Sequence, residues 1–487
     1  MNESDPFAAG RKLLALWTEA GLGATQAAAE LLRAGADALA GGDPAHVSRL
    51  WTDLWTDLFA DAPPELTGAW EGKAFGADVF GADGLPDLAG PPPDAEALQA
   101  AWSKSWGEYE GELSGLPEDA FAVDFKPLAA AWGAVVSGHA DDTQRGMVSR
   151  FVSAMAVKAR YGAEYYADPT RTAVAPTPRT RAYGTGGIDL FRYDRDTAAD
   201  GEPVLIVYSV INRSYILDLT EDCSFIAHLL RRGLDVWLIE WNGAEAGDSE
   251  TLEDYVLGIG ACVDHVRDAT GAPRVALFGH CIGGTLAAMH AALRPDTVSR
   301  FLALTAPFKT PAEGVVASAV DPAIFDVDEV VRTHRRMPAK LIRYTFMGLK
   351  PWHELLKWKM FLGGLADPAA AARFAVIDRW ANDNVDIPAE VFRQYIDEVF
   401  HSGRLVAGET VIGGRTVDLS AIDCPVLNAA GEGDWIVPRD SARPLTDAVG
   451  AEDNRWVELP GGHLSLLLDP RQRGRWDELA DFLRGDA

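Results

Sequence analysis

Long apolar runs are missing from this chain of 487 residues, and lysine and cysteine are both scarce. Its hydrophobic stretches fall well short of the roughly 20 residues that a membrane-spanning helix needs. The opening text, MNESDPFAAGRKLLALW, joins no cationic segment to an apolar one, so no secretory signal is read there and a cytoplasmic location is expected. Four cysteines, Cys223, Cys262, Cys281 and Cys424, lie far apart, with neither a C-x-x-C pair nor a cysteine–histidine cluster at zinc spacing. That pattern disfavours a disulfide framework and a structural metal; neither metal nor cofactor is expected. Cys223, Cys262 and Cys424 suit the ordinary role of a small buried apolar residue.

Cationic charge is also short. The chain has 10 Lys and 34 Arg against 45 Asp and 27 Glu, for a net charge of −28. Nothing in that balance would displace counterions from phosphates, which excludes nucleic-acid binding. An excess of short carboxylates over lysine suits a protein kept soluble in concentrated salt, and a biased genomic base composition gives the same preference for Arg over Lys.

What is present divides into two parts. Residues 1–175 are rich in Ala and read as helices broken by a Pro/Gly/Asp-rich connector, GADGLPDLAGPPPDAE. From 51 to 120, fifteen acidic residues face only Lys73 and Lys104, a net of −13. The pairs Trp51/Trp55 and Trp102/Trp106 are spaced four apart, on one helix face. They serve either as a helical core or cap, or as a docking surface for a partner.

Residues 168–185 are Pro/Thr-rich and read as the boundary between the parts. Beyond it, apolar strand-like runs (GIDLFRYD, PVLIVYSV, LDVWLIEW, RVALFGH, VSRFLALTAPF, CPVLNAAGEGD, NRWVELPGG) alternate with helical text. That alternation predicts an α/β fold whose mostly parallel sheet is covered by helices on both faces. The expected organisation is a core over 180–308 and 405–487, with a helical, aromatic-rich insertion at 309–404. Such an insertion would cover the carboxyl edge of the sheet as a lid.

The sharpest local signal is VALFGHCIGGT at 275–285. Gly279–His280–Cys281–Ile282–Gly283 is G-x-C-x-G, a nucleophile elbow with Cys in place of Ser, preceded by a strand and followed by a helix. The flanking glycines allow the strained backbone and close packing that an elbow requires. The helix N-terminus under the side chain favours a thiolate. An elbow nucleophile needs an acid and then a His further along the chain. Asp434 tips the turn after PVLNAAGEG, and His463 follows two glycines just past the last strand. Glu432 competes with Asp434, but D-x-x-V-P closes the turn around Asp434. The histidines in helical text (His228, His265, His290) read as structural. His46 and His139 belong to the N-terminal part, and His334, His353 and His401 sit in the insertion, where they could touch substrate. His280 adjoins the nucleophile, and side chains that adjoin at a turn diverge. For the oxyanion hole, the backbone N–H of Ile282 and, from the loop after VLIVYSV, that of Ile211 are the candidates.

From Gly187 onward the sequence resembles the polyhydroxyalkanoate synthases, in particular their class III type. The likeness rests on VLIVYSVINRSYILDL, DVWLIEW, GHCIGGT, FMGLKPWHELLKWK, IGGRTVDL, PVLNAAGEGDWIVP and PGGHLSLL. It implies an α/β-hydrolase fold and an enzyme that polymerises (R)-3-hydroxyacyl-CoA into polyester on cytoplasmic granules, releasing CoA. It places the family's catalytic Cys, Asp and His on Cys281, Asp434 and His463. It also implies a second, helical synthase subunit and a homo-oligomer. His280 stands where the family usually has an apolar residue, and Trp435 where His is common; the N-terminal region is longer than the class suggests.

With an acyl-CoA substrate the thiol acquires a reason. Exchange of one thioester for another keeps the acyl group activated, whereas a serine ester would dissipate that activation before any chain bond formed. Two other readings remain open at the level of sequence. One is a Cys-His-Asp thioesterase or lactone hydrolase on the same fold. The other is a non-catalytic granule scaffold.

Overall fold

A computed structural model describes residues 174–195, 201–242, 249–322, 325–349, 357 and 368–486, with 127, 131 and 141–147 upstream. They belong to the second of two units, Phe125–Ala487. The acidic connector, both tryptophan pairs, His46, His139, His353 and much of the lid motif lie outside the described residues.

Eight strands build the central sheet: β1 (Arg179–Thr185), β2 (Ile188–Tyr193), β3 (Pro203–Val207), β4 (Asp235–Trp241), β5 (Val275–His280), β6 (Val298–Leu304), β7 (Val426–Gly431) and β8 (Asn454–Leu459). They lie in the order β1-β2-β4-β3-β5-β6-β7-β8. β2 runs antiparallel to both β1 and β4, and every other neighbouring pair is parallel.

The helices that matter here are α1 (Phe225–Arg231), α2 (Leu252–Thr270), α3 (Ile282–Leu293), α4 (Val327–His334), α5 (Ala339–Leu349), α6 (Pro368–Asn382), α7 (Ala389–Tyr395) and α8 (Arg473–Arg484). Leu205, Leu277 and Phe301 point to the face covered by α2 and α3, while Ile206, Phe278 and Leu302 point to the face covered by α1 and α8. Because successive strand residues alternate sides, a strand buried on both faces must be apolar throughout, as PVLIV is. Each such fully buried side chain contributes about 1.5–3 kcal/mol. Helix α2 shows how local sequence sets the ends: Thr251 and Asp254 form a reciprocal capping box, and Gly271, at φ 73°, closes the last turn.

One strand differs from the expectation. The segment read as a boundary contains β1, whose RTRAYGT is largely exposed at the sheet edge and therefore lacks the apolar alternation that marks the inner strands. The seven strand-like runs correspond to β2 through β8.

Between β6 and β7 the chain leaves the sheet. It forms α4 to α7, a π-helical turn at Ile396–His401, and a two-stranded pairing of Arg336–Met337 with Ile387–Pro388. This excursion is fastened to the loop after β3. Asn212 and Asn384 form a bridge and a side-chain hydrogen bond, the Val385 N–H donates to the Ile211 carbonyl at 2.8 Å, and the Trp380 indole donates to the Arg213 carbonyl at 2.8 Å.

Candidate active site

The strand–turn–helix around Cys281 is built from close backbone approaches. A Cβ on Gly283 would stand 2.2 Å from the Val207 carbonyl oxygen, and one on Gly279 would stand 2.4 Å from the Gly284 Cα. Only glycine fits, so β5 can end directly against the first turn of α3. Cys281 itself lies at φ 55°, ψ −133°, a conformation that L-residues rarely occupy. Its N–H donates to the Leu304 carbonyl at 3.1 Å, and its carbonyl accepts from the Gly284 N–H at 2.8 Å.

His463 and Asp434 meet at this corner. His463 Nδ1 lies 2.7 Å from Asp434 Oδ2, and the ring lies close enough to Cys281 to feel its charge. The second carboxylate oxygen, Oδ1, accepts from the Ile436 and Val437 N–H groups at 2.9 Å each, so the D-x-x-V-P turn fixes the acid. Glu432 is exposed and the Asp434 side chain fully buried, which separates the two acidic candidates. All three residues of the cluster are buried, Cys281 at 7% and His463 at 8% exposure.

Burial alone would depress the His463 basicity. The charge of Asp434 and that of a thiolate at Cys281, with the hydrogen bond to Asp434, outweigh it and push the ring up to about 10. The site therefore favours the protonated form of the His463 ring.

Of the two backbone candidates for an oxyanion hole, Ile282 opens α3 directly after the sulfur. Ile211 follows β3, and its N–H donates to Ser209 Oγ at 3.3 Å. Four of the other histidines are occupied elsewhere: His228 faces Asp477, His265 stacks on Tyr183, His290 is buried in α3, and His401 meets the Val320 carbonyl at 2.8 Å; the side chain of His334 lies outside those described.

His280 is placed differently from the expectation that it would diverge from the chemistry. Its ring leaves Cys281 but comes to 5.2 Å from the His463 ring, stacking on Tyr208 at 5.1 Å on the way. Sequence reading also missed Tyr395. This residue of α7 puts its hydroxyl 3.1 Å from Thr285 Oγ1. The Thr285 proton goes to the Pro307 carbonyl at 2.6 Å, so the phenol must be the donor to Thr285. Tyr395 lies close enough to Cys281 to feel its charge. Tyr208 closes PVLIVY at a strand's carboxyl end, a position that could have flagged it; Tyr395 carried no such signal.

A family model described as alpha/beta hydrolase fold matches residues 203–470. The poly(3-hydroxyalkanoate) polymerase subunit PhaC of Allochromatium vinosum is 35% identical over 315 residues, spanning 62% of this chain and 88% of that one. The subunit of the same name from Thiocystis violacea is 33% identical over 324 residues, spanning 64% and 90%. A solved monoacylglycerol lipase from Paleococcus ferrophilus aligns with a TM-score of 0.40 at 17% identity, covering 59% of this chain and 97% of the lipase. The family model and the relatives together identify the chain as a member of the α/β-hydrolase fold family and, within it, of the poly(3-hydroxyalkanoate) polymerases.

Proposed function

We propose that this protein is a polyester synthase, an acyltransferase that polymerises (R)-3-hydroxyacyl-CoA and releases CoA through an acyl–Cys281 intermediate. The observation that carries this reading is a buried thiol at an elbow, paired with an imidazole that a carboxylate holds 2.7 Å away, in a chain of the polymerase family. With the proton already on the His463 ring, the Cys281 sulfur attacks the thioester carbonyl as the thiolate of that pair. The Ile282 and Ile211 N–H groups receive the oxyanion. The carbon–sulfur bond to CoA breaks, and the imidazolium returns the proton to the departing thiolate.

The second half uses the same base. A 3-hydroxyl gives its proton to His463, now neutral, the oxygen attacks acyl–Cys281, and the carbon–sulfur bond breaks to leave the sulfur as a thiolate beside the imidazolium. Each cycle converts one thioester into one oxygen ester, which drives the chain forward. Asp434 holds the imidazole tautomer and balances its charge throughout. Cys281 and His463 are buried, and the excursion between β6 and β7 brings Tyr395 close to Cys281, which supports a lid that keeps water from the acyl group.

The two named relatives are polymerase subunits. We read this chain likewise as acting with a second, helical subunit, as a homo-oligomer, at the surface of a cytoplasmic polyester granule. Among the described residues no helix is long and apolar enough to cross a membrane. The test is incubation with (R)-3-hydroxybutyryl-CoA. CoA release accompanied by sedimenting polyester supports the synthase; CoA release with free acid alone makes the protein a thioesterase, and no CoA release leaves a scaffold. Repeating the assay without residues 1–175 asks whether that region docks a partner.

A further inference from the structure

The proposed chemistry leaves one residue of the elbow without a task. His280 is 1% exposed, and its Nδ1 is buried without a hydrogen-bond partner. An unpaired polar atom in so dry a place is costly and calls for a reason. The ring lies parallel to Tyr208, at 5° and 5.1 Å, and tilted against His463 at 5.2 Å. Its Nε2 meets Thr305 Oγ1 at 3.3 Å.

Thr305 supplies an independent sign. A β-branched residue, it is held at φ 49°, in the left-handed region that such side chains avoid. Its N–H is fixed to the Ala429 carbonyl at 2.7 Å. That backbone brings its hydroxyl to His280. If the hydroxyl donates to Nε2, the ring proton sits on Nδ1, on a ring whose neighbour at 5.2 Å is His463. Hydrogen bonds of an active site are often long without substrate and tighten on binding.

We propose that His280 is a positioning residue, tying Thr305 to the backbone of His463 and so holding the loop of the base in line with Cys281. Asp434 fixes the imidazole from one side, and His280 secures the main chain from the other. Burial, and then the charge of His463, drive His280 well below the ordinary histidine range, so it serves as a neutral ring. The titratable groups around it are Tyr208, Cys281 and His463, with Asp434 behind the last.

This inference rests on Cys281 and His463 being the reacting pair. Three variants of the full chain test it. His280→Phe keeps the ring and the stack but removes both nitrogens, His280→Gln keeps a polar group of similar reach, and Thr305→Val removes only the hydroxyl. Two readouts are used: steady-state CoA release, and the pH profile of Cys281 alkylation by iodoacetamide, with His463→Ala as the reference for a lost base. In His280→Phe, kcat should fall roughly tenfold or more with KM within about twofold, because misalignment of the base costs rate rather than binding. Its alkylation profile should move toward that of His463→Ala, Thr305→Val should follow in the same direction, and His280→Gln should recover much of the loss. The proposal is overturned if His280→Phe and Thr305→Val both keep native kcat and the native alkylation profile. It is equally overturned if Gln rescues no better than Phe, since His280 would then merely fill space. Should His280→Phe not fold, the Thr305→Val and His280→Gln pair decides. Failure of the functional reading looks different, since the native protein itself would release no CoA while the alkylation comparison still reports on His280.

Discussion

The imidazole of His463 and the carboxylate of Asp434 approach to 2.7 Å with the carboxylate side chain wholly shielded from water. Since Ile436 and Val437 hold the other oxygen, the carboxylate cannot swing away, and the ring is left with a single orientation. Held in this way, the His463 ring is a titrating element of the fold.

Its titration sets a pH window for stability. The folded ring is pushed up to about 10, above the value near 6.5 usual for unfolded histidine. A raised basicity means the folded state holds the proton more tightly. The stabilisation is thus fully present below about pH 6.5 and is lost as pH rises through about 10. The difference in melting temperature between the native protein and His463→Gln should be largest near pH 6 and shrink on the way to pH 10. A difference that stays constant or grows would contradict the ion pair.

Replacing the sulfur tests why it is there. Cys281→Ser should leave the fold unchanged and lower steady-state CoA release by roughly ten-thousandfold or more, the scale seen when a member of a concerted catalytic set is lost. Any acyl group it does accept becomes an ordinary ester that a 3-hydroxyl displaces poorly. Intact-protein mass spectrometry should find acyl adducts persisting on the serine variant and turning over on the native protein. Rapid turnover on both would remove the argument for a thiol.

Much of this was legible in sequence because the relevant constraints are local. A strand buried on both faces must be apolar along its length, so β3 and β5 announce themselves, and a nucleophile elbow needs glycines at fixed offsets from Cys281. The edge strand β1 escaped because exposure removes that requirement. His280 and Thr305 escaped for another reason: their proximity to His463 depends on where β5, β6 and the loop after β8 converge, and no spacing along the chain encodes it. Tyr395 sits far from Cys281 in sequence and reaches Thr285 only through the path of the excursion between β6 and β7.

Gly283 offers a test of the elbow that bypasses chemistry. A methyl group there would meet the carbonyl oxygens of Val207 and Tyr208 at 2.2 and 2.4 Å, and both belong to main chain that a central strand holds in place. Gly283→Ala should cost about 3 kcal/mol or more, at the upper end for overpacking, and activity should fall with it. Denaturant titration measures the first. A variant as stable as the native protein would mean that β3 and α3 can separate, contrary to the packing described.

The last prediction concerns access to the sulfur. Asp383, just after α6, accepts from the Tyr215 hydroxyl at 3.0 Å and lies 3.5 Å from the Arg213 guanidinium, so it clamps the excursion onto the loop that carries Ile211. Cys281 is only 7% exposed; if the excursion is what shields it, a reagent must wait for that cover to lift. Removing a half-exposed acceptor of this type weakens a structure by about 1 kcal/mol. If the lost interaction favours the closed form alone, that energy raises the open population roughly fivefold. Asp383→Ala should therefore speed alkylation of Cys281 by a similar factor at a fixed pH, with global stability lowered by no more than about 1 kcal/mol. An unchanged alkylation rate would show that the cover opens elsewhere, about a hinge that leaves Asp383 and Tyr215 together.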